Sequence, residues 1–147
     1  ILGIVYVPVT GVLYYGLDQK ELNISFAIKE TDDSKQELSV SKVNFGTDLV
    51  VLGSRRHGAE ALDALLKSIE PQFSSLKLVS MGSSLKICLV AEGTANEYPR
   101  FGPTMEWDTA AGHAIANAAG KKLWLTDLSS ELQYNKKNLL NRYFIVK

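Results

Sequence analysis

The residues best suited to chemistry form one short run, Trp107–Gly112, which reads WDTAAG. Its carboxylate, Asp108, falls at the expected start of a helix, where the helix dipole stabilises an acidic side chain by about 0.3 to 1 kcal/mol. That ordinary role is one interpretation. The other is a metal ligand, because Mg²⁺ prefers oxygen donors such as carboxylates. The residue pattern by itself favours the first interpretation.

Two further runs could bind an anion. Gly82–Lys86 (GSSLK) offers a flexible turn, two hydroxyls and an ammonium group at a predicted helix start, where free backbone N–H groups attract phosphate. A helix cap followed by a surface lysine is the more frequent use of such residues. Ser54–Gly58 (SRRHG) follows a predicted strand and precedes a helix, the place where open α/β sheets bind ligands, although a solvated basic loop is the alternative.

Other reactive residue types have structural interpretations. His113 lies five positions after Asp108, about 140° around the helix, so the two are not expected to share a metal. Cys88, the single cysteine, lies in an apolar run and is interpreted as packing. Tyr98–Phe101 could place a basic or aromatic contact beside Asp108. The sequence holds none of the usual motifs for nucleophilic proteolysis or hydride transfer.

Composition excludes several classes of protein. The chain has 147 residues, 46% hydrophobic and 22% charged, which is typical of one globular domain. Sixteen basic and sixteen acidic residues cancel, so there is no general electrostatic basis for binding a nucleic acid polymer. No apolar run approaches the roughly 20 residues of a transmembrane segment. With one cysteine the expected compartment is the reducing cytoplasm, and peripheral attachment to the inner membrane stays open.

The elements that must position these residues form a predicted α/β fold, with a mixed, largely parallel sheet flanked by helices and preceded by a β-hairpin. The hairpin comprises Ile4–Pro8 and Val12–Tyr15. Peripheral strands are predicted at Ile24–Ile28 and Leu38–Val43, separated by a solvated turn at Glu30–Lys35.

From Asp48 onward, strands alternate with helices. The predicted strands are Leu49–Gly53, Leu76–Val79, Tyr98–Phe101, Lys122–Thr126 and Tyr143–Val146. The predicted helices are Ala59–Ile69, Ser84–Glu92 and Thr104–Ala119, with Ser83 or Ser84 and Thr104 as caps and with Gly93 and Gly120 at the carboxyl ends. The third helix is rich in alanine, which predicts a buried helix that approaches its neighbours closely.

These runs together resemble a known family. Trp107–Gly112, followed by Ala118–Gly120, resembles the carboxy-terminal signature of the inositol monophosphatase superfamily of Mg²⁺-dependent, lithium-sensitive phosphatases. Within it, Gly82–Gly93 and Tyr98–Thr104 closely resemble the bacterial 3′(2′),5′-bisphosphate nucleotidases. The resemblance covers nearly the whole chain and is weakest over Glu21–Thr47. It implies an inositol-monophosphatase-like fold and hydrolysis of adenosine 3′,5′-bisphosphate to AMP and phosphate, with Mg²⁺ as the cofactor.

The resemblance also implies roles for individual residues. Asp108 would be a metal ligand and, through the metal, a catalytic and substrate-contacting residue. The nucleotide would be bound by a further set of residues, namely Ser54, His57, Gly82, Ser83 and Lys86. An inositol or sugar phosphate phosphatase of the same superfamily remains an alternative. So does a non-catalytic nucleotide-binding module.

One departure from the family pattern is large. The family takes most of its metal ligands from an amino-terminal half with an Asp-x-x-Asp-Gly motif, which this sequence lacks. One carboxylate cannot hold two or three Mg²⁺ ions, so this chain alone is predicted to be inactive. Residues 1–47 would complete the sheet of an amino-terminal domain, and residues 48–147 would form the carboxy-terminal α/β domain. Without the missing half, the apolar edge at Ile1–Tyr15 is expected to associate with another copy as a homodimer.

Overall fold

The first part of the chain folds into an antiparallel sheet. The computed structural model describes residues 1–39, 47–54 and 58–147. Strands β1 (Leu2–Val7) and β2 (Val12–Gln19) form the predicted hairpin, and Gly11 supplies the left-handed conformation (φ 69°) that its turn requires. β3 (Ile24–Glu30) and β4 (Lys35–Glu37) follow, and the strand order is β1-β2-β3-β4.

The position of β4 corrects the prediction for this region. The strand predicted at Leu38–Val43 is wrong for Leu38 and Ser39, and residues 40–43 lie outside the described residues. Instead, Lys35–Glu37 pairs with β3, because the Thr31–Ser34 turn is short and closed by hydrogen bonds from Thr31 N to Ser34 O (2.8 Å) and from Ser34 N to Thr31 Oγ1 (3.1 Å). A short charged strand is well suited to a sheet edge.

The predicted β–α–β unit is confirmed. β5 (Asp48–Gly53) and β6 (Ser75–Ser80) pair in parallel, and α1 (Ala59–Ile69) connects them. Leu62 of α1 is buried, as expected for the apolar face of an amphipathic helix. Among the described residues, 3₁₀ turns are present at Lys20–Leu22 and Glu70–Gln72.

The remaining elements form the third sheet and its helices. They are α2 (Leu85–Ala91), β7 (Tyr98–Arg100), α3 (Glu106–Ala118), β8 (Leu123–Leu125) and β9 (Phe144–Val146). β9 lies between β7 and β8 and is antiparallel to both. A parallel bridge between Val51 of β5 and Glu97, the residue before β7, connects the two sheets. The pairing is therefore mixed, as predicted, but within the described residues the parallel part is limited to the β5–β6 pair and this bridge. None of the described helices is long and apolar enough to cross a membrane.

The carboxyl ends of α2 and α3 follow the sequence, whereas the predicted capping at their starts does not. Gly93 (φ 82°) and Gly120 (φ 86°) adopt the left-handed conformation after α2 and α3. Thr104 is not the cap of α3, since Met105 holds that position and its N–H donates to Asp108 Oδ2 (2.8 Å). Ser84 is the cap residue of α2, but it is already helical, and its hydroxyl makes no capping bond to this fully described helix.

The alanine-rich helix α3 packs as predicted. It lies against the β1–β2 hairpin on one side and against α2 on the other. A Cβ atom added at Gly3 would lie 2.1 Å from the Ala111 carbonyl oxygen, and one at Gly16 would lie 3.0 Å from the Ile115 Cα. Only glycine on the hairpin, facing small residues on the helix, allows the two backbones to approach this closely.

Candidate active site

A cavity of about 380 Å³ opens beside the first turn of α3. Its volume is within the range of sites for small molecules. The lining comes from the start of α2, from β7, from the loop and first turn of α3 and from β9. It comprises Ser83, Ser84, Lys86, Ile87, Tyr98, Arg100, Pro103, Thr104, Trp107, Asp108, Thr109 and Phe144. The cavity thus brings together three of the predicted site residues, namely Ser83, Lys86 and Asp108.

Lys86 is a buried cation at this cavity. Its residue is 2% exposed, and Nζ donates to the carbonyl oxygens of Met81 (2.9 Å) and Ser83 (3.1 Å) while lying 4.8 Å from the centre of the Tyr98 ring. An ammonium group carries three donors, so one remains for a ligand. Burial, and then the nearby charge of Arg100, lower the pKa of Lys86 to about 8. An anion bound beside it would stabilise the charged form.

Arg100 supplies a second cation to the same cavity. Its Nη2 donates to the Pro103 carbonyl oxygen (3.1 Å), and its buried Nε has no hydrogen-bond partner within the described residues. A buried donor without a partner calls for a ligand or water. Sequence analysis noted this run only as a general contact. The sequence does contain one indication that Arg100 belongs to the site. Tyr98 and Arg100 are two positions apart, so in a strand they share one face of β7.

Asp108 is exposed at the mouth of the cavity. One carboxylate oxygen accepts the Met105 N–H, so the ordinary helix-start role is present. Among the described residues, no group of three or more His, Cys, Asp or Glu side chains is close enough to hold a metal ion. Mg²⁺ needs several oxygen ligands, and the other charges beside this carboxylate are positive. The described residues therefore do not fit Mg²⁺ by themselves, whereas they fit an anion.

The first turn of α3 is held in place by the long irregular segment between β8 and β9. Asn141 Nδ2 donates to the Met105 carbonyl oxygen (2.9 Å) and to Thr109 Oγ1 (3.1 Å). The Glu106 carboxylate accepts the backbone N–H groups of Asn135 (2.8 Å) and Lys136 (3.1 Å). The Lys136 ammonium group, together with these bonds, lowers the pKa of Glu106. Sequence analysis assigned no role to this segment.

The other predicted site residues lie apart from this cavity or cannot be placed. Ser54 lines a separate cavity of about 140 Å³ at the end of β5. Gly82 precedes the lining residues, and a Cβ added there would meet nothing within 4 Å. His57 lies outside the described residues, as do Arg55 and Arg56.

The surroundings of His113 and Cys88 agree with the structural roles that the sequence predicted for them. His113 is buried, with Nδ1 2.9 Å from the Tyr134 hydroxyl and Nε2 3.4 Å from a Glu131 carboxylate oxygen, and burial lowers its pKa. Cys88 is fully buried, and burial raises the pKa of its thiol to about 12. A thiol with so high a pKa is a packing residue and not a nucleophile.

The family follows from a comparison that covers almost the whole chain. The model of the inositol monophosphatase family matches residues 1–146, and the chain belongs to that family. Among curated relatives, CysQ of Escherichia coli (strain K12), a 3′(2′),5′-bisphosphate nucleotidase, is 48% identical over 120 residues, which are 82% of this chain and 44% of that protein. CysQ of Buchnera aphidicola is 44% identical over 123 residues, 84% of this chain and 42% of that protein. The chain thus spans less than half the length of these relatives.

Solved structures agree with this placement. The crystal structure of CysQ from Bacteroides thetaiotaomicron matches with a TM-score of 0.85 at 35% identity, covering 100% of this chain and 57% of that one. SuhB of Mycobacterium tuberculosis matches with a TM-score of 0.65 at 21% identity over 99% of this chain and 52% of that one, which supports the fold alone. The resemblance inferred from the sequence is confirmed at the level of family and fold.

Proposed function

We propose that this chain is the carboxy-terminal part of a 3′(2′),5′-bisphosphate nucleotidase, which hydrolyses the 3′-phosphate of adenosine 3′,5′-bisphosphate to give AMP and phosphate. The observation that carries the proposal is that one cavity is lined by the buried Lys86 ammonium group, the partly buried Arg100 guanidinium and the Asp108 carboxylate. Paired cations suit a phosphate ester, and a carboxylate beside them could contribute one ligand to a metal ion. The similarity to CysQ proteins adds the nucleotide as the substrate class.

The residues of this chain would act mainly in binding. The free N–H of Lys86 and the unpartnered Nε of Arg100 would hold a phosphate group, and the Ser83 hydroxyl borders the same space. Asp108 would contribute one oxygen to Mg²⁺, with the remaining ligands coming from outside this chain. When bound, such a metal would supply charge neutralisation and an activated water. Ser54, His57 and Gly82 stay proposed nucleotide contacts, since Ser54 and Gly82 do not line this cavity and His57 lies outside the described residues.

The proposal assigns different roles to the two parts of the chain. Residues 1–47 would complete the sheet of an amino-terminal domain that carries most of the metal ligands. Residues 48–147 would form the carboxy-terminal α/β domain that carries Asp108. The direct packing of α3 on the β1–β2 hairpin supports a close coupling of the two parts, because it ties Asp108 to the sheet that the amino-terminal domain would share.

The test is Mg²⁺-dependent phosphate release from adenosine 3′,5′-bisphosphate by this chain alone and after mixing with the amino-terminal half of E. coli CysQ. We expect activity only in the mixture, and we expect Asp108→Ala to abolish it. Asp127→Ala, which removes an exposed carboxylate that does not line the cavity, is the matched control and should leave activity unchanged. Activity of this chain alone would contradict the proposal.

The same mixture separates the alternatives. Faster hydrolysis of inositol 1-phosphate than of adenosine 3′,5′-bisphosphate would favour an inositol phosphate phosphatase. Binding of AMP without metal, unaffected by Asp108→Ala and without phosphate release in the mixture, would favour a non-catalytic module.

A further inference from the structure

Trp107 is an exposed aromatic residue at the rim of the cavity. Its residue is 66% exposed, whereas the two other aromatic residues of the lining, Tyr98 (4%) and Phe144 (1%), are buried and pack edge to face with their ring centres 6.1 Å apart. Among the described residues, the indole has no aromatic or cationic partner. A tryptophan ring combines a large apolar surface with a polar N–H group, and such rings are enriched where proteins contact ligands and partners.

The position of the indole matches a ligand with a flat aromatic part and an anionic part. Lys86 and Arg100 provide the anion site, and Trp107 lines the same cavity as well as a neighbouring cavity of about 630 Å³. We propose that Trp107 is a stacking platform for the base of a nucleotide whose phosphate is held by these two cations. This proposal rests on the proposed function and deepens it, because inositol and sugar phosphates have no flat ring to stack.

The backbone that carries Trp107 is held in place before a ligand arrives. Trp107 lies between Glu106, whose carboxylate is fixed by Asn135 and Lys136, and Asp108, whose carboxylate is fixed by the Met105 N–H. The backbone of this turn therefore needs little ordering when a ligand binds, which favours affinity. Stacking on an aromatic side chain tolerates any base, so the platform selects nucleotides as a class.

The first measurement uses the fluorescence of Trp107 in this chain. The sequence has two tryptophans, and Trp124 is a half-buried residue of β8 that does not line the cavity, so Trp124→Phe leaves Trp107 as the single reporter. Adenosine 3′,5′-bisphosphate should quench this signal in a saturable manner. Ribose 5-phosphate, which has the phosphate but no base, should bind without comparable quenching. Equal quenching by both probes would overturn the proposal.

The second measurement is the affinity of each probe by calorimetry. Trp107→Ala should weaken binding of adenosine 3′,5′-bisphosphate by about 5- to 150-fold and leave ribose 5-phosphate unchanged. Trp107→Phe should recover most of the loss, because a smaller ring still stacks. Tyr6→Ala removes another exposed ring, 58% exposed on β1 and outside the cavity, and should change neither affinity.

The outcomes separate this proposal from the proposed function. Lys86→Met tests whether binding of the two probes depends on the phosphate site. If this variant weakens binding of both probes and Trp107→Ala changes neither affinity, the stacking platform is wrong and the phosphate site stands. If neither probe binds the unaltered chain, both proposals are contradicted for this chain. If the amino-terminal half of CysQ shields Trp107 from acrylamide without nucleotide, a protein contact covers the ring and the platform is again wrong.

Discussion

The charge of Lys86 is the residue property on which anion binding at the cavity depends most directly. Two carbonyl oxygens and the Tyr98 ring favour the ammonium form, but burial and the Arg100 charge outweigh them and bring the pKa to about 8. The group therefore changes charge near the upper end of the physiological range.

We expect affinity for adenosine 3′,5′-bisphosphate to fall as the pH rises through about 8, because a neutral amine no longer attracts phosphate. The lowered pKa of Lys86 also affects the stability of the fold. The folded pKa lies below the ordinary value of 10.5, so the unfolded chain binds more protons between these values and the free energy of unfolding gains a contribution that rises with pH there. Calorimetric titrations between about pH 7 and 9.5 would measure the fall in affinity.

The control for this pH dependence is a matched pair of variants. Lys86→Met should bind the nucleotide weakly and without the change near pH 8. Lys121→Met, at the far end of α3 and outside the cavity, should keep the profile of the unaltered chain. A profile that stays flat in the unaltered chain would show that Lys86 does not contact the phosphate.

Asp108 combines a structural and a proposed chemical role, and two substitutions separate them. Asp108→Ala removes the acceptor for the Met105 N–H and should lower the free energy of unfolding by about 0.5 to 2 kcal/mol. Asp108→Asn keeps an acceptor oxygen and should retain most of that stability. Both should abolish Mg²⁺-dependent phosphate release in the mixture. Urea unfolding followed by the activity assay distinguishes the two roles, and an active Asp108→Asn variant would argue against metal ligation.

At the residue scale, sequence reasoning identified the side chains whose type already suggests chemistry. Lys86 and Asp108 were found because each lies in a recognisable run at a predicted helix start. Arg100 was undervalued because its importance depends on tertiary contacts, in particular a buried Nε beside Lys86, that no local pattern reveals. Ser54 was assigned from its position after a strand and from the family resemblance, and the structure places it in a different cavity.

At the scale of elements, the packing of α3 against the hairpin sets the position of the site. Sequence analysis predicted a close approach from the alanine content of the helix. It did not identify the glycines of the hairpin as the partners, because in a strand such residues indicate bends as readily as close contacts. The structure shows that helix and hairpin are matched, with Gly3 and Gly16 facing Ala111 and Ile115.

Gly3→Ala should therefore destabilise the fold, because the new methyl group would meet the Ala111 carbonyl oxygen at 2.1 Å and the backbones would have to separate. Overpacking of this kind costs about 1 to 3 kcal/mol. Gly82→Ala is the matched control, since its methyl group would lie in open space, and its stability should be nearly unchanged. Urea unfolding measures both, and equal stability of the two variants would contradict the close packing described here.

The elements themselves were predicted well wherever hydrophobic periodicity is strong. The helix at Ala59–Ile69 was predicted to the residue, because its apolar positions follow the helical period. β4 was misplaced because charged residues have low strand propensity, and its pairing depends on the neighbouring turn. The insertion of β9 between β7 and β8 was not predictable, since strand order is a tertiary property.

At the scale of the whole molecule, the antiparallel sheet has two unlike faces. One face packs on α3. The opposite face of β1 presents Leu2, Ile4 and Tyr6, which are 57 to 60% exposed, and β1 also leaves its outer edge unpaired within the described residues. An apolar strand with a free edge favours association with another chain.

We expect this chain to self-associate through β1, so that its apparent mass in light scattering rises with concentration. Ile4→Lys places a charge in the centre of the exposed apolar strand and should return the chain to a monomer. Val9→Lys adds the same charge at the tip of the hairpin turn, where Val9 is already 94% exposed, and should leave the association unchanged. If the amino-terminal half of CysQ pairs with the same strand, its addition should dissociate the self-associated species. Phosphate release should appear in the same samples. A monomer at high concentration in the unaltered chain would contradict this expectation, because β1 would then be stable in water without a partner.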